Sequence, residues 1–267
     1  IIRAPLLAQL IRCPVVFNFR AADLAMGGQG APLVPLVDDV LIGRGNGWRA
    51  ILNLGGIANL TILPPSNGPE SQSKVLGWDC GPANSLIDLA IREFTNDQLY
   101  FDEDGLIASK GKPDELVISN WLKEGFFQLP PPRSTGREFY GLDDLKRRMI
   151  DMSHLSKENQ ISTLTAFTAS IVAQDLNNLY SRHSIRPVNL FVAGGGANNP
   201  VMINQIINRC KGITVLKLNE IGVSIKEREA LAFALLAFWN FHKFPVDCSY
   251  ITGSNKPIIL GIKVDFN

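Results

Sequence analysis

Three runs of strand character in this chain each end in a turn crowded with Gly, Asn or Pro: NLGGIAN at 53–59, DCGPANS at 79–85 and AGGGANN at 193–199. A glycine placed after a strand can take positive φ and lets backbone N–H groups approach a ligand closely, while a following helix N-terminus adds partial positive charge. Together these features favour phosphate. Any one of the three alone reads equally well as a plain tight turn, but three at separate strand ends are harder to assign to turn formation alone.

Around these turns, apolar residues recur at strand and helix periods in a mostly alternating order, which is an α/β pattern. Residues 4–12 suit a helix, PVVFNF (14–19) a strand, and RAILNL (49–54) a strand that runs into GGIAN and returns as LTIL (60–63). That short return over a Gly-rich turn predicts an antiparallel hairpin. KVLGWD (74–79) reads as a strand and SLIDLAIREF (85–94) as a helix, its apolar members three and four apart. Residues 97–160 are less regular and read as an insertion, with a Pro-rich turn PPPRSTGRE at 130–138 and a helix over GLDDLKRRM. Beyond them follow a helix over STLTAFTASIVAQDLNNLY, a strand VNLFVAG, a helix VMINQIINRC, a strand ITVLKL and a long helix over KEREALAFALLAFWNFH.

Composition removes several function classes. Lys plus Arg number 26 against 25 Asp plus Glu, so no strong field gathers nucleic acid or an anionic membrane. The longest apolar run, 230–239, has about half of the roughly 20 residues that a membrane-spanning helix needs. Cysteines at 13, 80, 210 and 248 lie far apart and form no CxxC pair, which argues against a zinc site or a disulfide scaffold and for a reducing compartment. Gly194 and Gly196 start a GxG, but Asn199 replaces the third glycine of a dinucleotide fingerprint, and no GxxxxGK[ST] loop occurs.

The strings NLGGIANLT, GWDCGPANSLID, PPRSTGREF, VAGGGANNPVM and EALAFALLA, preceded by FNFRAADLAMGGQGAPLVP, occur in the order and near the spacing of the anhydro-N-acetylmuramic acid kinases. The chain resembles that family over nearly its whole length. The resemblance implies an α/β, ribonuclease H-like lobe of the actin-like ATPase and sugar kinase superfamily, with mixed sheet and flanking helices. It divides the chain into a remnant of an N-terminal lobe at 1–47 and a C-terminal kinase lobe at 48–267. The implied reaction opens the 1,6-anhydro bond of the sugar with water and phosphorylates O6 with ATP and Mg²⁺, giving MurNAc 6-phosphate in a cytoplasmic homodimer.

Residue by residue, the resemblance assigns Gly55, Gly56 and Asn59 to the ATP phosphates, Gly194, Gly195 and Gly196 to the adenosine, and Asp79 to the general base. Gly81 and Asn84 flank Asp79 in the turn and join the cofactor-binding set. A carboxylate at the C-terminal end of a strand beside a phosphate cradle is suitably placed to take a proton from an attacking water. Two other roles stay open for Asp79: capping the helix near Ser85, which Asn84 is better placed to do, and holding Mg²⁺ through water. Arg20 and Asp23 resemble a segment lining the sugar, where an Arg can grip a carboxylate in bidentate fashion; a surface ion pair is the plainer alternative. Glu229 matches a glutamate near the sugar, or is a surface residue beside Lys226, Glu227 and Arg228. Arg133, Ser134, Thr135 and Arg137 resemble a family loop with no role derivable from sequence. Cys80 stands where the family usually has threonine and reads as a small hydrophobe, and Ala83 stands where it usually has glycine.

The family's Gly, Ser and Thr-rich phosphate loop and its HGQT segment do not occur in this sequence. Phosphoryl transfer depends on positioning from both lobes, so the expectation is that the chain alone has little or no kinase activity. Two classes follow: the larger part of a working kinase, or a truncated relative that binds sugar or nucleotide without catalysis.

Overall fold

The computed structural model describes residues 3–222 and 227–266, so Lys226 lies outside the described residues. Its frame is a five-stranded mixed sheet with strand order β4-β3-β2-β5-β6, built from β2 (Arg49–Leu54), β3 (Ile57–Leu63), β4 (Leu76–Pro82), β5 (Asn189–Ala193) and β6 (Thr214–Lys217). β2 and β3 form the antiparallel hairpin anticipated from their Gly-rich link, β4 extends it antiparallel, and β5 and β6 join on the other side in parallel. The α/β architecture with mixed sheet and flanking helices is therefore present.

Side chains leave the sheet with period two, and the two faces bury different cores. Ala50, Leu52 and Leu54 of β2 pack with α4 (Asn84–Phe94) and α8 (Lys157–His183), whereas Ile51 turns to the other face with Leu63, Phe191 and Leu218. Ser156 caps α8, its hydroxyl accepting from the Asn159 N–H. The segment expected to be irregular carries three helices, α5 (Glu115–Trp121), α6 (Gly125–Gln128) and α7 (Leu142–Asp151), which cover the α8 side of the core. α9 (Pro200–Arg209) opens with Pro at its first turn and Asn199 as its cap, accepting from the Val201 and Met202 N–H groups.

A separate core joins the two ends of the chain. α1 (Ala4–Ile11) leads into β1 (Val15–Phe17), α2 (Phe19–Ala25) and α3 (Pro35–Leu41), and Leu33 and Val37 bury against Ala232 and Leu236 of α10 (Arg228–Phe241) and Leu260 beyond it. β1 pairs antiparallel with β7 (Ile262–Val264). The strand anticipated at 14–19 is shorter because Asn18 takes a left-handed conformation that stops it and starts α2. Among the described residues no helix is long and apolar enough to cross a membrane.

Candidate active site

Sequence places the three Gly-rich turns at 53–59, 79–85 and 193–199, and the fold brings them together. The carbonyls of Gly55 and Gly56 point at the start of α4, where Ala83 N–H and Ser85 N–H donate to Gly56 and Asn84 N–H donates to Gly55, at 2.9, 3.1 and 3.0 Å. These are the donors that a helix start leaves free, and here the hairpin takes them. Asn84 does not cap α4 through its side chain: its amide reaches across to donate to the Leu54 and Gly55 carbonyls at 2.9 and 2.7 Å. The hairpin is thereby fastened to the helix from both backbone and side chain.

The third turn packs on the same point. Gly194 has φ +81° and ψ 176°, a region that essentially only glycine occupies, and a Cβ there would sit 2.7 Å from the backbone of Leu54. A Cβ on Gly196 would sit 2.8 Å from Leu54 and 3.1 Å from the Asn84 amide. Gly55, Gly56, Asn84, Arg137, Gly195 and Gly196 line one cavity of about 530 Å³.

Gly195 is the most informative of them. It is exposed, has no positive φ, and a Cβ on it would meet nothing within 4 Å. Neither packing nor backbone conformation within the chain calls for glycine there, so the bare surface suits a ligand pressed against the backbone. Gly55 is similar, its nearest neighbour being 3.6 Å from such a Cβ. Gly81 is set apart: its hydrogen-only face lies on the Phe127 ring, 2.7 Å from where a Cβ would stand, and it does not reach the cavity. Asp88 also lines the cavity, and burial pushes its carboxyl up to about 6 against the opposing pull of Arg137.

Asp79 occupies an irregularity in the sheet. β3 and β4 pair Asn59 with Asp79 and Ala58 with Gly81, so Cys80 is an extra residue and the strand bulges. A bulge bends its strand and re-aims the neighbouring side chains. Asp79 is 5% exposed, and one carboxylate oxygen, Oδ2, accepts from the Ser134 hydroxyl at 2.9 Å and from the Thr135 N–H at 3.0 Å. Burial raises its pKa; the hydrogen bonds from Thr135 and Ser134 and the charges of Arg20 and Arg133 hold the rise back. Asp79 plays no part in capping α4.

The 130–138 segment, without a role in the sequence, thus supplies the donors to Asp79. Arg133 and Asp175 behind it are a buried ion pair at 2.6 Å. Nothing in the sequence marks Asp175, because it lies within a helix whose burial only packing reveals. Cys80 is fully buried beside Asp175, and its thiol is raised well above the usual range by desolvation, in keeping with a small hydrophobe. All four cysteines are free.

The residues likened to a sugar-lining segment divide. Arg20 reaches toward Asp79 electrostatically and donates to the Gly30 carbonyl. Asp23 is wholly buried, with its oxygens accepting from Gly30 N–H at 2.7 Å and the Thr252 hydroxyl at 2.6 Å, so it ties the 27–30 turn to the C-terminal segment. Glu229 is exposed in the first turn of α10. Its neighbour Arg228 points inward instead and pairs with the buried Asp38 at 2.5 and 2.9 Å.

The family model of anhydro-N-acetylmuramic acid kinase matches residues 1–265. A protein of that name from Prochlorococcus marinus (strain MIT 9303) is 56% identical over 265 residues, which cover 99% of this chain and 70% of the relative. One from Parasynechococcus marenigrum (strain WH8102) is 53% identical over 98% of this chain and 69% of its own. Among solved structures, xylulose kinase from Rhodospirillum rubrum overlaps 79% of this chain and 50% of its own at a TM-score of 0.43 and 11% identity. On the family match and these identities, the chain belongs to the anhydro-N-acetylmuramic acid kinase family.

Proposed function

We propose that this chain carries the nucleotide cleft and the general base of an ATP-dependent kinase that opens the 1,6-anhydro ring of anhydro-N-acetylmuramic acid with water and phosphorylates O6. The observation that carries the reading is the convergence of three Gly-rich turns on one cavity, with Asp79 held on the adjoining strand by Ser134 and Thr135.

In this reading the backbone at Gly55 and Gly56 meets the phosphates, Gly195 and Gly196 the adenosine side, and Arg137, which lines the same cavity, adds a cation for the phosphates. When bound, ATP with its Mg²⁺ supplies the phosphoryl group and neutralises its charge. Mg²⁺ is commonly held by nucleotide phosphates with one or two carboxylates; among the described residues no group of three or more His, Cys, Asp or Glu gathers to hold a metal, and no side chain is assigned to it. Asp79 takes the proton from the attacking water. Its raised pKa makes it a stronger base than an exposed aspartate, and such a base contributes about 10² to 10⁴ in rate.

Asn59, which the resemblance assigns to the phosphates, stands opposite Asp79 in the β3–β4 ladder and is not among the residues lining the cavity. Arg20 is the cation that meets the sugar's lactyl carboxylate, and Glu229 faces the sugar from α10. The separate core of residues 19–41 with 232–260 supports a lobe boundary near residue 47, with α10 and the C-terminal segment returning to the first lobe. A homodimer is part of the same proposal, and sedimentation equilibrium tests it.

The test is ATP-dependent phosphorylation of 1,6-anhydro-MurNAc by the intact protein, with the product identified by mass. Formation of the 6-phosphate supports the reading. Nucleotide binding with no turnover at any substrate concentration overturns it in favour of a binding protein.

A further inference from the structure

A buried ion pair is weak ground for stability, because desolvating two charges offsets much of their attraction. The Arg133–Asp175 pair, each side chain 4% exposed, therefore invites another explanation. Arg133 spends its guanidinium on the strand that carries Asp79. Nε donates to the Asp79 carbonyl at 3.1 Å, Nη2 approaches the Cys80 carbonyl at 3.4 Å and both Asp175 oxygens at 2.6 Å, and Nη1 donates to the Leu129 carbonyl at 2.7 Å. In return the Arg133 carbonyl accepts from the Asp79 N–H at 3.0 Å. The bulge at Cys80 interrupts the regular ladder, and the guanidinium satisfies the carbonyls on either side of that interruption.

The next two residues after Arg133 are Ser134 and Thr135, the donors to the Asp79 carboxylate. Asp175 is fixed in turn by Trp78, whose indole N–H donates to it at 2.9 Å, and by its seat on α8. The long helix, the arginine, the loop and the carboxylate thus form one hydrogen-bonded chain.

We propose that Asp175 and Arg133 are positioning residues for the reaction: they set where Ser134 and Thr135 stand, and through them the orientation and basicity of Asp79. The proposal rests on Asp79 being the base. Its consequence is that loosening the pair changes the chemistry while leaving the nucleotide cavity, which neither residue lines, as it was. The ionic groups facing Asp79 are Arg20 and Arg133, with Asp175 behind the latter.

The experiment compares the intact protein with the double variant Arg133→Met, Asp175→Asn, which removes both charges together and keeps an acceptor for Trp78. With a folded variant, kcat falls about tenfold or more, as expected when a reacting group loses its support. KM for ATP stays within twofold, and the acid limb of kcat/KM against pH moves upward because the carboxylate loses its donors. Arg133→Lys is the second variant: it keeps the charge pairing but cannot span the Asp79 and Cys80 carbonyls, so its acid limb must move in the same direction by less. If either folded variant retains both the wild-type kcat and the wild-type limb, the positioning role is overturned. Asp79→Asn separates the two layers: full turnover there removes the base assignment itself, while a dead Asp79→Asn beside unchanged Arg133 variants removes only the positioning role.

Discussion

The hydroxyl of Ser134 donates to Oδ2 of Asp79 at 2.9 Å, joining residues 55 positions apart in the sequence. With the Thr135 N–H on the same oxygen, it makes a loop outside the sheet responsible for a carboxylate inside it. These donors stabilise the charged form against the desolvation that favours the neutral one.

Replacing Asp79 with Asn removes the proposed base while keeping an acceptor for both donors. Turnover of 1,6-anhydro-MurNAc should fall by about 10² to 10⁴. Because burial raises the pKa of Asp79 in the fold, the variant's melting temperature at pH 7.5 should equal or exceed that of the parent. A catalytic loss accompanied by a large drop in melting temperature would instead mark Asp79 as a folding residue.

Asp88 offers a test of linkage. Its folded pKa is raised to about 6 from 3.8, so the native state binds the proton more tightly than the unfolded chain. Its contribution to stability is fully present below about pH 4 and is lost as pH rises through about 6. Asp88→Asn should therefore be more stable than the parent at pH 7.5, by about 1 kcal/mol once its partial exposure is allowed for. Urea denaturation at pH 7.5 and pH 4 checks the sign, since the difference should vanish at the lower value.

Two adjacent glycines should respond in opposite ways. Gly194→Ala forces a side chain into a glycine-only conformation against the Leu54 backbone. A loss of about 2–3 kcal/mol, read as a fall of about 5–10 °C in melting temperature, is expected. Gly195→Val fills only the cavity, so stability should change by less than about 0.5 kcal/mol while ATP affinity, measured by calorimetry, weakens at least tenfold.

Arg228→Met leaves the fully buried Asp38 with the Thr61 hydroxyl but no cation. Breaking a buried pair on one side costs about 3–5 kcal/mol. Arg228→Met with Asp38→Asn should recover most of that loss in chemical denaturation, because no unpaired charge remains and Thr61 keeps an acceptor.

Much of this protein is set by local pattern. The β2–β3 hairpin follows from apolar strands meeting over Gly55 and Gly56, and α4, α8 and α9 follow from their apolar spacing. The three Gly-rich turns and Asp79 could be picked out because glycine and a lone carboxylate at strand ends have few local reasons to be there. Tertiary structure alone decided what each does. Asn84 looked like a cap by position, yet its amide serves the hairpin, because the Gly55 and Gly56 carbonyls already occupy the helix start. Gly81 and Gly195 are alike in sequence, but one backs onto Phe127 and the other onto open space. Asp175 is one charged residue in a long helix, and only the packing of α8 under β4 brings it to Arg133. Periodicity reports which face of an element is apolar; which polar atoms meet across the core depends on contacts between distant segments, and those exist only once the chain has folded.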